Sequence, residues 1–419
     1  MFKTITKKVW QQVGQRTATS IKVIHSDGSI YTNHATPPVV TITYKSYRGY
    51  LRSALFTNLG FAEAYINGEI DIDGDLIALV LAADEGATGE GGKLSHNPIA
   101  TVLNIIHEWN FSNRSIKQAK KNALYHYNRG TEMFRQYLDS TMTYTCAYWK
   151  EGTTTLAQAQ SQKIDHSLRK LRLQPGETLV DVGGGWGSVL FRAFEKYGVI
   201  GTNVSPTPNQ NKAMQAEIEK RGYQGKVKIK EIDFREDTEV YDKYISLGVY
   251  EHAGRDQLDA WIKVMSQSLK PGGIGLLHFI GNPKPGIEQT GVFIRKHVFP
   301  GGYLPGLGET IELMDTHGLE ILDVENLRRH YHFTLKAWAE NFDAHWEQIQ
   351  ALDQTRYDEK FRRLWRFYLY TCSAVFVRNK TTRVGLYQIV FSKGRNHNYP
   401  MTVIFSILTI VNSRIHTKS

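Results

Sequence analysis

The sequence predicts an α/β protein in which helices cover both faces of a mostly parallel sheet, with a smaller, mainly helical N-terminal domain. The first supporting observation is residues 174–201, QPGETLVDVGGGWGSVLFRAFEKYGVIG, where an apolar run, a glycine-rich turn and helical spacing follow one another. The second is the alternation of strand-like and helix-like segments, which continues to residue 280. A strand, a glycine turn and a helix in this order open a Rossmann-like unit, because glycines let the backbone approach a ligand and the helix N-terminus presents free N–H groups.

Composition limits the classes of protein to which the chain can belong. Its 419 residues allow two domains, and a hydrophobic fraction of 41% is ordinary for a globular protein. The net charge of +10 and the pI near 9.3 favour an anionic partner, either nucleic acid or a lipid surface. Two cysteines give no disulfide framework, residues 1–14 lack the apolar core of a signal peptide, and the longest apolar run, 403–411, is too short to span a membrane. We therefore expect a cytoplasmic protein that does not cross a membrane.

The predicted N-terminal domain comprises residues 1–86, and the glycine-rich segment 87–98 is the predicted linker that follows it. Residues 2–13 place apolar side chains at helical spacing among lysines, so they form either a helix that packs on its own domain or one that faces a membrane. The other elements predicted here are a strand at 39–44 and helices at 50–67 and 75–84.

The second predicted domain, residues 99–395, begins with a helical entry segment and continues as the alternating sheet region. The entry helices are predicted at 99–109, 114–127 and 157–171, and residues 134–138 lead into the aromatic segment 141–152 around Cys146. The strands that follow are predicted at 178–182, 199–204, 226–232, 243–249 and 274–280, with helices at 188–197, 209–221 and 257–270 between them. After a glycine- and proline-rich insertion at 281–308 come a helix at 310–317, a strand at 319–324, aromatic helices at 335–352 and 357–377, and a last strand at 384–391. The tail, 396–419, shows no assignable pattern.

The glycine loop does not fit a dinucleotide site. In the GxGxxG fingerprint the place of the third glycine would fall on Ser188 or Leu190, and no acid ends the next strand. The pattern D-x-G-x-G-x-G instead resembles motif I of class I methyltransferases, which bind S-adenosylmethionine (SAM) and have a mostly parallel seven-stranded sheet. Its members here are Asp181, Gly183, Gly185 and Gly187. A tight strand–helix turn without a ligand is the alternative.

Polar side chains stand where several predicted strands end. Asp233, Glu251 with His252, and His278 with Ile280 occupy such positions, and ligands of open parallel sheets bind beyond the carboxyl ends of the strands. A single histidine beside a strand is usually a core residue, but a Glu and a His on successive strand ends favour catalysis. Cys146 lies outside the predicted sheet, and composition alone favours a buried thiol there. No HExxH or comparable ligand spacing occurs, so we predict no metal site.

Six blocks in the same order give the chain a family resemblance. They are MTYTCAYW, LQPGETLVDVGGGWGS, YEHAG, LKPGGIGLLHFIG, YHFTLKAW and VFSKG. From about residue 60 to about residue 400 the chain resembles cyclopropane-fatty-acyl-phospholipid synthases. LGFAEAYINGEID, which begins at residue 59, is similar to the N-terminal domain of that branch. The tail from Val403 no longer resembles the family.

The resemblance implies two sets of site residues. SAM would be bound by the loop glycines Gly183, Gly185 and Gly187, and by Tyr144, Thr145, Ser205, Gln210, Asp233 and Phe234, the last two flanking the adenine. A bicarbonate ion would be held by Cys146, Glu251, His278, the backbone amide of Ile280 and Tyr331. Two positions depart from the family pattern, since Gly184 replaces a cysteine and Ser205-Pro206 replaces a Thr-Leu pair.

The implied activity is transfer of a methylene group from SAM to the cis double bond of an unsaturated phospholipid acyl chain. Methyl transfer would leave a carbocation, and bicarbonate-assisted deprotonation would close the cyclopropane ring in a dry pocket. The expected partners are the phospholipid, an anionic membrane surface on the inner face of the membrane, and a second copy in a homodimer. Nucleic acid is not expected, because no RNA- or DNA-binding motif is found. The alternatives are a methyltransferase that closes no ring and a non-catalytic basic membrane-binding protein.

Overall fold

The structure is a computed structural model that describes residues 1–87, 111–282, 292–377 and 384–400. Most of the predicted linker 87–98, the predicted helix 99–109 and the chain from residue 401 lie outside these ranges. Among the described helices, none is both long and apolar enough to cross a bilayer.

The N-terminal unit combines three helices with a small sheet. Its elements are α1 (Phe2–Arg16), β1 (Ile21–Ile24), β2 (Ile30–Thr32), β3 (Val40–Tyr44), α2 (Tyr47–Ile66), β4 (Ile70–Gly74) and α3 (Leu76–Ala87). The sheet has four strands in the order β2-β1-β3-β4, and β1 and β3 are parallel. The predicted helices and the predicted strand at β3 are confirmed, whereas β1, β2 and β4 were not predicted.

Helix α1 turns its apolar face toward its own unit. Trp10 and Val13 are buried in the core that the helices form on the sheet, and the indole N–H of Trp10 donates to the Tyr44 hydroxyl at 3.1 Å. Tyr44 stacks on Tyr50 with ring centroids 4.4 Å apart. Most of the amphipathic pattern in residues 2–13 is therefore explained by packing within the unit.

The second unit contains the large sheet. Its strands are β5 (Thr178–Val182), β6 (Ile200–Val204), β7 (Val227–Lys230), β8 (Tyr241–Leu247), β9 (Leu269–Gly281), β10 (Leu319–Asn326) and β11 (Gly385–Lys393). Its helices within the described residues are α4 (Ile116–Tyr127), α5 (Thr131–Tyr137), α6 (Leu156–Lys170), α7 (Ser188–Tyr197), α8 (Pro208–Arg221), α9 (Leu258–Gln267), α10 (Val292–His297), α11 (Leu307–Thr316), α12 (Arg328–Ala344), α13 (Trp346–Leu352) and α14 (Glu359–Val375).

The sheet has seven strands in the order β10-β11-β9-β8-β5-β6-β7. Strands β5 to β9 pair in parallel, and β11 runs antiparallel to both β9 and β10. Apolar residues of α6, α7 and α8 cover one face, and those of α9 and α11 cover the other. The predicted mostly parallel seven-stranded sheet with helices on both faces is confirmed.

Two predicted segments are divided differently in the structure. The segment 335–352 is not one helix, because the chain bends at His345, where α12 ends and α13 begins. The insertion 281–308 contains α10, and its residues 283–291 lie outside the described ranges.

A helical layer lies over the sheet edge where the parallel strands end. Helices α5, α12, α13 and α14, with the segment 138–149, bring aromatic side chains into one buried cluster. Helix α14 contributes to two cores. Its Trp365 and Tyr368 belong to this aromatic layer, whereas Phe367 enters the core of the N-terminal unit. Arg363 of the same helix donates to the Tyr65 carbonyl at 3.1 Å and the Ile70 carbonyl at 3.2 Å. The N-terminal unit therefore supports the helical layer directly.

This shared core predicts a large effect of Phe367→Ala. Truncating a buried phenylalanine costs about 3–5 kcal/mol of unfolding free energy. Phe333→Ala is the matched control, because Phe333 is 50% exposed, and its loss should cost about 0.5 kcal/mol. Urea denaturation followed by circular dichroism measures both variants. Equal costs in the two variants would contradict the shared core.

Candidate active site

The glycine loop forms the floor of a pocket between β5 and α7. Gly183, Gly185 and Gly187 all have positive φ, at 80°, 58° and 90°. A Cβ on Gly183 would meet Val249 at 2.5 Å, so this position excludes any side chain. A Cβ on Gly185 would have no neighbour closer than Gln210 Nε2 at 3.9 Å, so it would project into the pocket. The loop is therefore shaped for close approach of a ligand.

Ser205 and Gln210 form one wall of this pocket. The Thr207 hydroxyl lies 2.7 Å from Ser205 Oγ and donates to Gln210 Oε1 at 2.7 Å. Because the Gln210 oxygen is engaged, its amide N–H group is the end that faces the loop. Both predicted residues thus line the pocket, and replacing the family's Thr-Leu pair by Ser205-Pro206 leaves a polar wall.

Asp233 and Phe234, the residues that the resemblance places beside the adenine, also line the pocket. The Arg235 guanidinium binds both oxygens of the Asp233 carboxylate. Its Nε lies 2.7 Å from Oδ1 and a terminal nitrogen lies 2.9 Å from Oδ2. The Phe234 ring packs on Trp261, with centroids 4.2 Å apart. Phe234 and Trp261 thus give this wall its shape, while Arg235 holds the Asp233 carboxylate in place as a hydrogen-bond acceptor.

Tyr144 and Thr145 line the pocket but already have protein partners. The Tyr144 hydroxyl lies 3.1 Å from the Tyr368 hydroxyl, and Thr145 Oγ1 accepts from the Lys163 ammonium at 2.8 Å. Their hydroxyl groups are therefore used to fix the segment over the glycine loop.

Asp181 is buried below the loop, and its Oδ2 accepts no hydrogen bond from the described residues. Burial raises the pKa of Asp181 to about 7, and the nearby Lys163 ammonium opposes the rise. This carboxyl contributes to the pocket as a buried group that is only partly ionised at neutral pH.

Glu251 begins a second, deeper group of side chains. It lies in a short 3₁₀ turn after β8, where its Oε1 accepts the Ile280 backbone N–H at 2.5 Å. Its Oε2 is buried and accepts no hydrogen bond within the described ranges. Burial raises the pKa of Glu251 to about 7. The predicted Ile280 amide is thus already bound by Glu251, so an anion would have to share it.

The other predicted members of this group are His278, Ile280, Cys146 and Tyr331, which are buried or partly buried. His278 precedes Ile280 by two residues on β9, so both side chains lie on one face of the sheet. Burial raises the pKa of the Cys146 thiol, which donates to the Ala147 carbonyl at 3.2 Å. The pKa of Tyr331 lies well above its usual value because of burial, with further contributions from Cys146 and Glu251. All five predicted residues are at least partly buried. None of them lines the pocket itself, but Thr145, Val249 and His252, which are close to Cys146 and Glu251 in the chain, do.

Lys163 was not predicted, although it is the cation that connects the two groups. Its side chain is fully buried on α6, and burial lowers its pKa to about 8. Its positive charge acts to lower the pKa values of Asp181, Cys146 and His278. Helical periodicity in the sequence gave no sign that this lysine points inward. Other pocket-lining residues that the sequence interpretation did not single out include Tyr127, Trp186 and Trp261.

These arrangements fit the two groups that the resemblance implies. The open Gly185 position and the polar pocket walls fit SAM, and the glycine loop precedes the N-terminus of α7. The unpartnered Glu251 Oε2 and the Ile280 amide that Glu251 binds offer polar groups for a small oxyanion. The described residues contain no group of three side chains suited to a metal ion.

Comparison with known proteins gives consistent results. The family described as mycolic acid cyclopropane synthetase matches residues 114–387. The cyclopropane-fatty-acyl-phospholipid synthase of Escherichia coli K12 is 32% identical over 80% of this chain and 84% of its own length. A probable fatty acid methyltransferase of Pseudomonas putida is 30% identical over 87% of this chain and 91% of its own. The crystal structure of mycolic acid cyclopropane synthase CmaA1 with SAH and CTAB has a TM-score of 0.60 and 31% identity, and covers 65% of this chain and 98% of that one.

The loop geometry predicts that Gly185→Ala prevents SAM binding without unfolding the chain. Gly176→Ala is the matched control, because Gly176 also has a positive φ (83°) and open space, but it lies in the turn before β5. Both variants bear the strain of a left-handed alanine, about 1–2 kcal/mol, whereas only the methyl at 185 enters the pocket. Calorimetry should show SAM affinity reduced at least about tenfold in Gly185→Ala alone, or about 1.4 kcal/mol. Equal affinities in the two variants would contradict the assigned pocket.

Proposed function

The chain belongs to the mycolic acid cyclopropane synthetase family and is a SAM-dependent enzyme, and from this premise we propose that it forms cyclopropane rings on unsaturated phospholipid acyl chains. The observation that carries the proposal is the deep group of Glu251, His278, Cys146 and Tyr331 beside the SAM pocket. Methyl transfer to an atom with a lone pair needs no base beside the carbon that is added. Ring closure does need one there, because a proton must be removed from the added carbon itself.

The proposed reaction requires a site from which water is excluded. When bound, SAM supplies a methyl group that its sulfonium makes electrophilic. An acyl double bond that accepts this methyl becomes a carbocation, which water would capture. Tyr144 and Trp338 pack with centroids 4.9 Å apart, and both belong to the aromatic layer over the site. This layer excludes water, and aromatic faces also stabilise positive charge.

We propose bicarbonate as the group that accepts the proton. When bound, it supplies a base next to the reacting carbon. Glu251 and His278 would orient it by hydrogen bonds, and the positive charge of Lys163, which acts on Cys146 and His278, would favour its negative charge. Neither Cys146 nor any other member of the group is needed as a nucleophile. The raised pKa of Cys146 is consistent with this role, because a neutral thiol is a weak nucleophile.

A methyltransferase that leaves the chain open is the second candidate, favoured by the likeness to the probable fatty acid methyltransferase of Pseudomonas putida. Both reactions add one CH₂ to the acyl chain, so mass alone does not separate them. Proton NMR of lipids extracted after expression does, because cyclopropane protons and alkene protons resonate apart. Alkene signals converted to cyclopropane signals support ring formation, whereas methyl-branched chains that remain unsaturated would support the second candidate.

The deep group predicts that Glu251→Gln loses product formation but not SAM binding. Glutamine keeps an oxygen for the Ile280 amide and removes the ionisable oxygen that faces the interior. We expect the rate of ring formation to fall at least about tenfold, which corresponds to about 1.4 kcal/mol in the barrier.

Glu312→Gln, on the exposed side of α11, is the matched control and should leave both quantities unchanged. The measurement is ring formation on unsaturated phospholipid vesicles with and without added bicarbonate. A Glu251→Gln enzyme with normal turnover and unchanged bicarbonate dependence would show that Glu251 does not hold the base.

We also propose that the enzyme reaches its lipid by peripheral contact with an anionic membrane. Helix α4 supports this, because its inner residues Ala119, Ala123 and Tyr127 line the SAM pocket. Its outer residues Lys117, Lys120 and Lys121 are exposed. A basic face thus lies on the same helix that covers the reactive pocket. The exposed apolar side chains of the N-terminal unit, Met1, Ile5 and Tyr47, would add contact with the lipid interface.

Neutralising the basic face tests this proposal. The variant Lys117→Gln, Lys120→Gln, Lys121→Gln should bind anionic vesicles on the order of a hundredfold more weakly at low salt, since each lysine contributes about 1 kcal/mol. The control replaces the exposed lysines 220, 226 and 228 by glutamine, an equal charge change near the amino ends of β6 and β7.

Sedimentation with anionic and neutral vesicles at two salt concentrations measures binding. Equal loss in both triple variants would indicate a general charge effect rather than a membrane-binding face. Surface variants are preferable to deletion of residues 1–86, because the N-terminal core contains Phe367 of α14.

A further inference from the structure

A chain of buried polar side chains lies behind His278, away from the SAM pocket. Gln388 on β11 is paired with His278 across the antiparallel β9–β11 ladder. Lys170 and Ser167 of α6 contact Gln388 from above the sheet, and Glu325 of β10 contacts Lys170. Gln388, Lys170 and Ser167 are fully buried, so their hydrogen bonds are not replaced by water.

Lys170 determines which way the Gln388 amide points. The Lys170 ammonium has only donors, and it lies 3.0 Å from Gln388 Oε1. The amide oxygen must therefore face Lys170. The charge of Lys170 is in turn held by Glu325, whose Oε2 is 2.5 Å from the ammonium nitrogen, with Asp323 at 3.5 Å.

With the oxygen fixed, the amide NH₂ group of Gln388 has two acceptors. One is Ser167 Oγ at 3.1 Å, and the other is Nδ1 of His278 at 3.2 Å. An imidazole nitrogen that accepts a hydrogen bond carries no proton. Burial, together with the charges of Lys163 and Lys170, lowers the pKa of His278 to about 3, so the ring is neutral near pH 7. The single ring proton therefore resides on Nε2.

We propose that Gln388 is a positioning residue that holds His278 as its Nε2–H tautomer, so that His278 donates a hydrogen bond to the oxyanion of the active site. The inference rests on the proposed function for the identity of that anion. An oxyanion is held by donors, and the opposite tautomer would present a lone pair to it. Lys170 acts one step further back, because it orients the amide without contacting the histidine.

The arrangement explains polar residues that the reaction itself does not use. A glutamine in the middle of a buried strand and a fully buried lysine are costly unless every group is paired. Lys170, Gln388 and Ser167 satisfy one another, and the chain ends on the one ring nitrogen that must stay unprotonated. A merely structural network could end on any acceptor.

Two variants of Gln388 separate positioning from packing. Gln388→Glu keeps the shape and an oxygen for Lys170 but replaces the donor with an acceptor, so the His278 proton should move to Nδ1. Gln388→Met keeps the volume and adds no buried charge, so it serves if the glutamate variant does not fold. In the methionine variant, Nδ1 loses its donor and the Nε2–H tautomer should no longer be exclusive. Ser167→Ala removes the second partner of the same amide and should leave the tautomer unchanged.

The direct readout is ¹⁵N NMR of the full chain labelled on histidine. The His278 signals among the 15 histidines are those absent from His278→Asn. The expected result is a protonated Nε2 in the native chain and in Ser167→Ala, and a changed tautomer in the Gln388 variants. The kinetic readout is the bicarbonate concentration that gives half-maximal ring formation, which should rise about tenfold or more, while SAM affinity stays unchanged.

Each outcome decides the inference. A changed tautomer together with a raised bicarbonate requirement supports it. A tautomer that is the same in all variants overturns the positioning role, even if activity falls. A changed tautomer with normal bicarbonate dependence overturns the donor role of His278. The result for Glu251→Gln distinguishes this last case from failure of the proposed function, because Glu251 does not contact the Gln388 network in the described structure.

Discussion

Removal of water from the carboxyl edge of the sheet is the constraint on which the site depends. Burial is the largest cause of the raised pKa values of Asp181 and Glu251 and of the lowered values of Lys163 and His278. In each case the neutral form is favoured. The site therefore holds few fixed charges of its own near pH 7. An electrophilic sulfonium and a small oxyanion would consequently interact strongly with each other and with Lys163, since little solvent screens them.

The N-terminal unit supports the aromatic layer over the site without lining the site itself. Its core receives Phe367, and its carbonyl groups accept hydrogen bonds from Arg363, so it fixes one side of α14. The other side of α14 presents Trp365 and Tyr368 to the aromatic layer, where Tyr368 meets the hydroxyl of Tyr144 over the pocket. Glu63 of α2 also lies 2.6 Å from the ammonium of Lys296 on α10, within the insertion. A unit that could be regarded as an appendage thus helps to close the catalytic domain.

The sequence alone was sufficient for the parts of the fold that depend on local pattern. The alternation after residue 174 predicted the parallel strands. The glycine loop and Glu251 were predicted as site residues because each comes directly after such a strand. The N-terminal strands β1, β2 and β4, which have 3–5 residues each, were missed, although β3, with five residues, was predicted. The break at His345 was missed because both flanking helices are aromatic and amphipathic in the same way.

The supporting residues of the site could not be predicted for a different reason. Lys163 and Lys170 read as ordinary helix-surface lysines, and their burial depends on how α6 lies against the sheet. Gln388 gains its partner only through the register of β11 with β9, which pairs it with His278 across more than a hundred residues of sequence. Family resemblance names the residues that would touch an anion, but tertiary packing determines the protonation of His278.

The charges around the site also set its dependence on pH. Glu251 and Asp181, each with a pKa of about 7, gain negative charge as the pH rises through neutrality, while Lys163, with a pKa of about 8, begins to lose its positive charge just above it. All three changes make the site more negative and so disfavour an anion. His278 is neutral throughout this range because its pKa is about 3, so the donor role proposed for it would not titrate. His278 thus keeps one protonation state near neutral pH, whereas the attraction of the proposed site for an anion declines as the solution becomes alkaline.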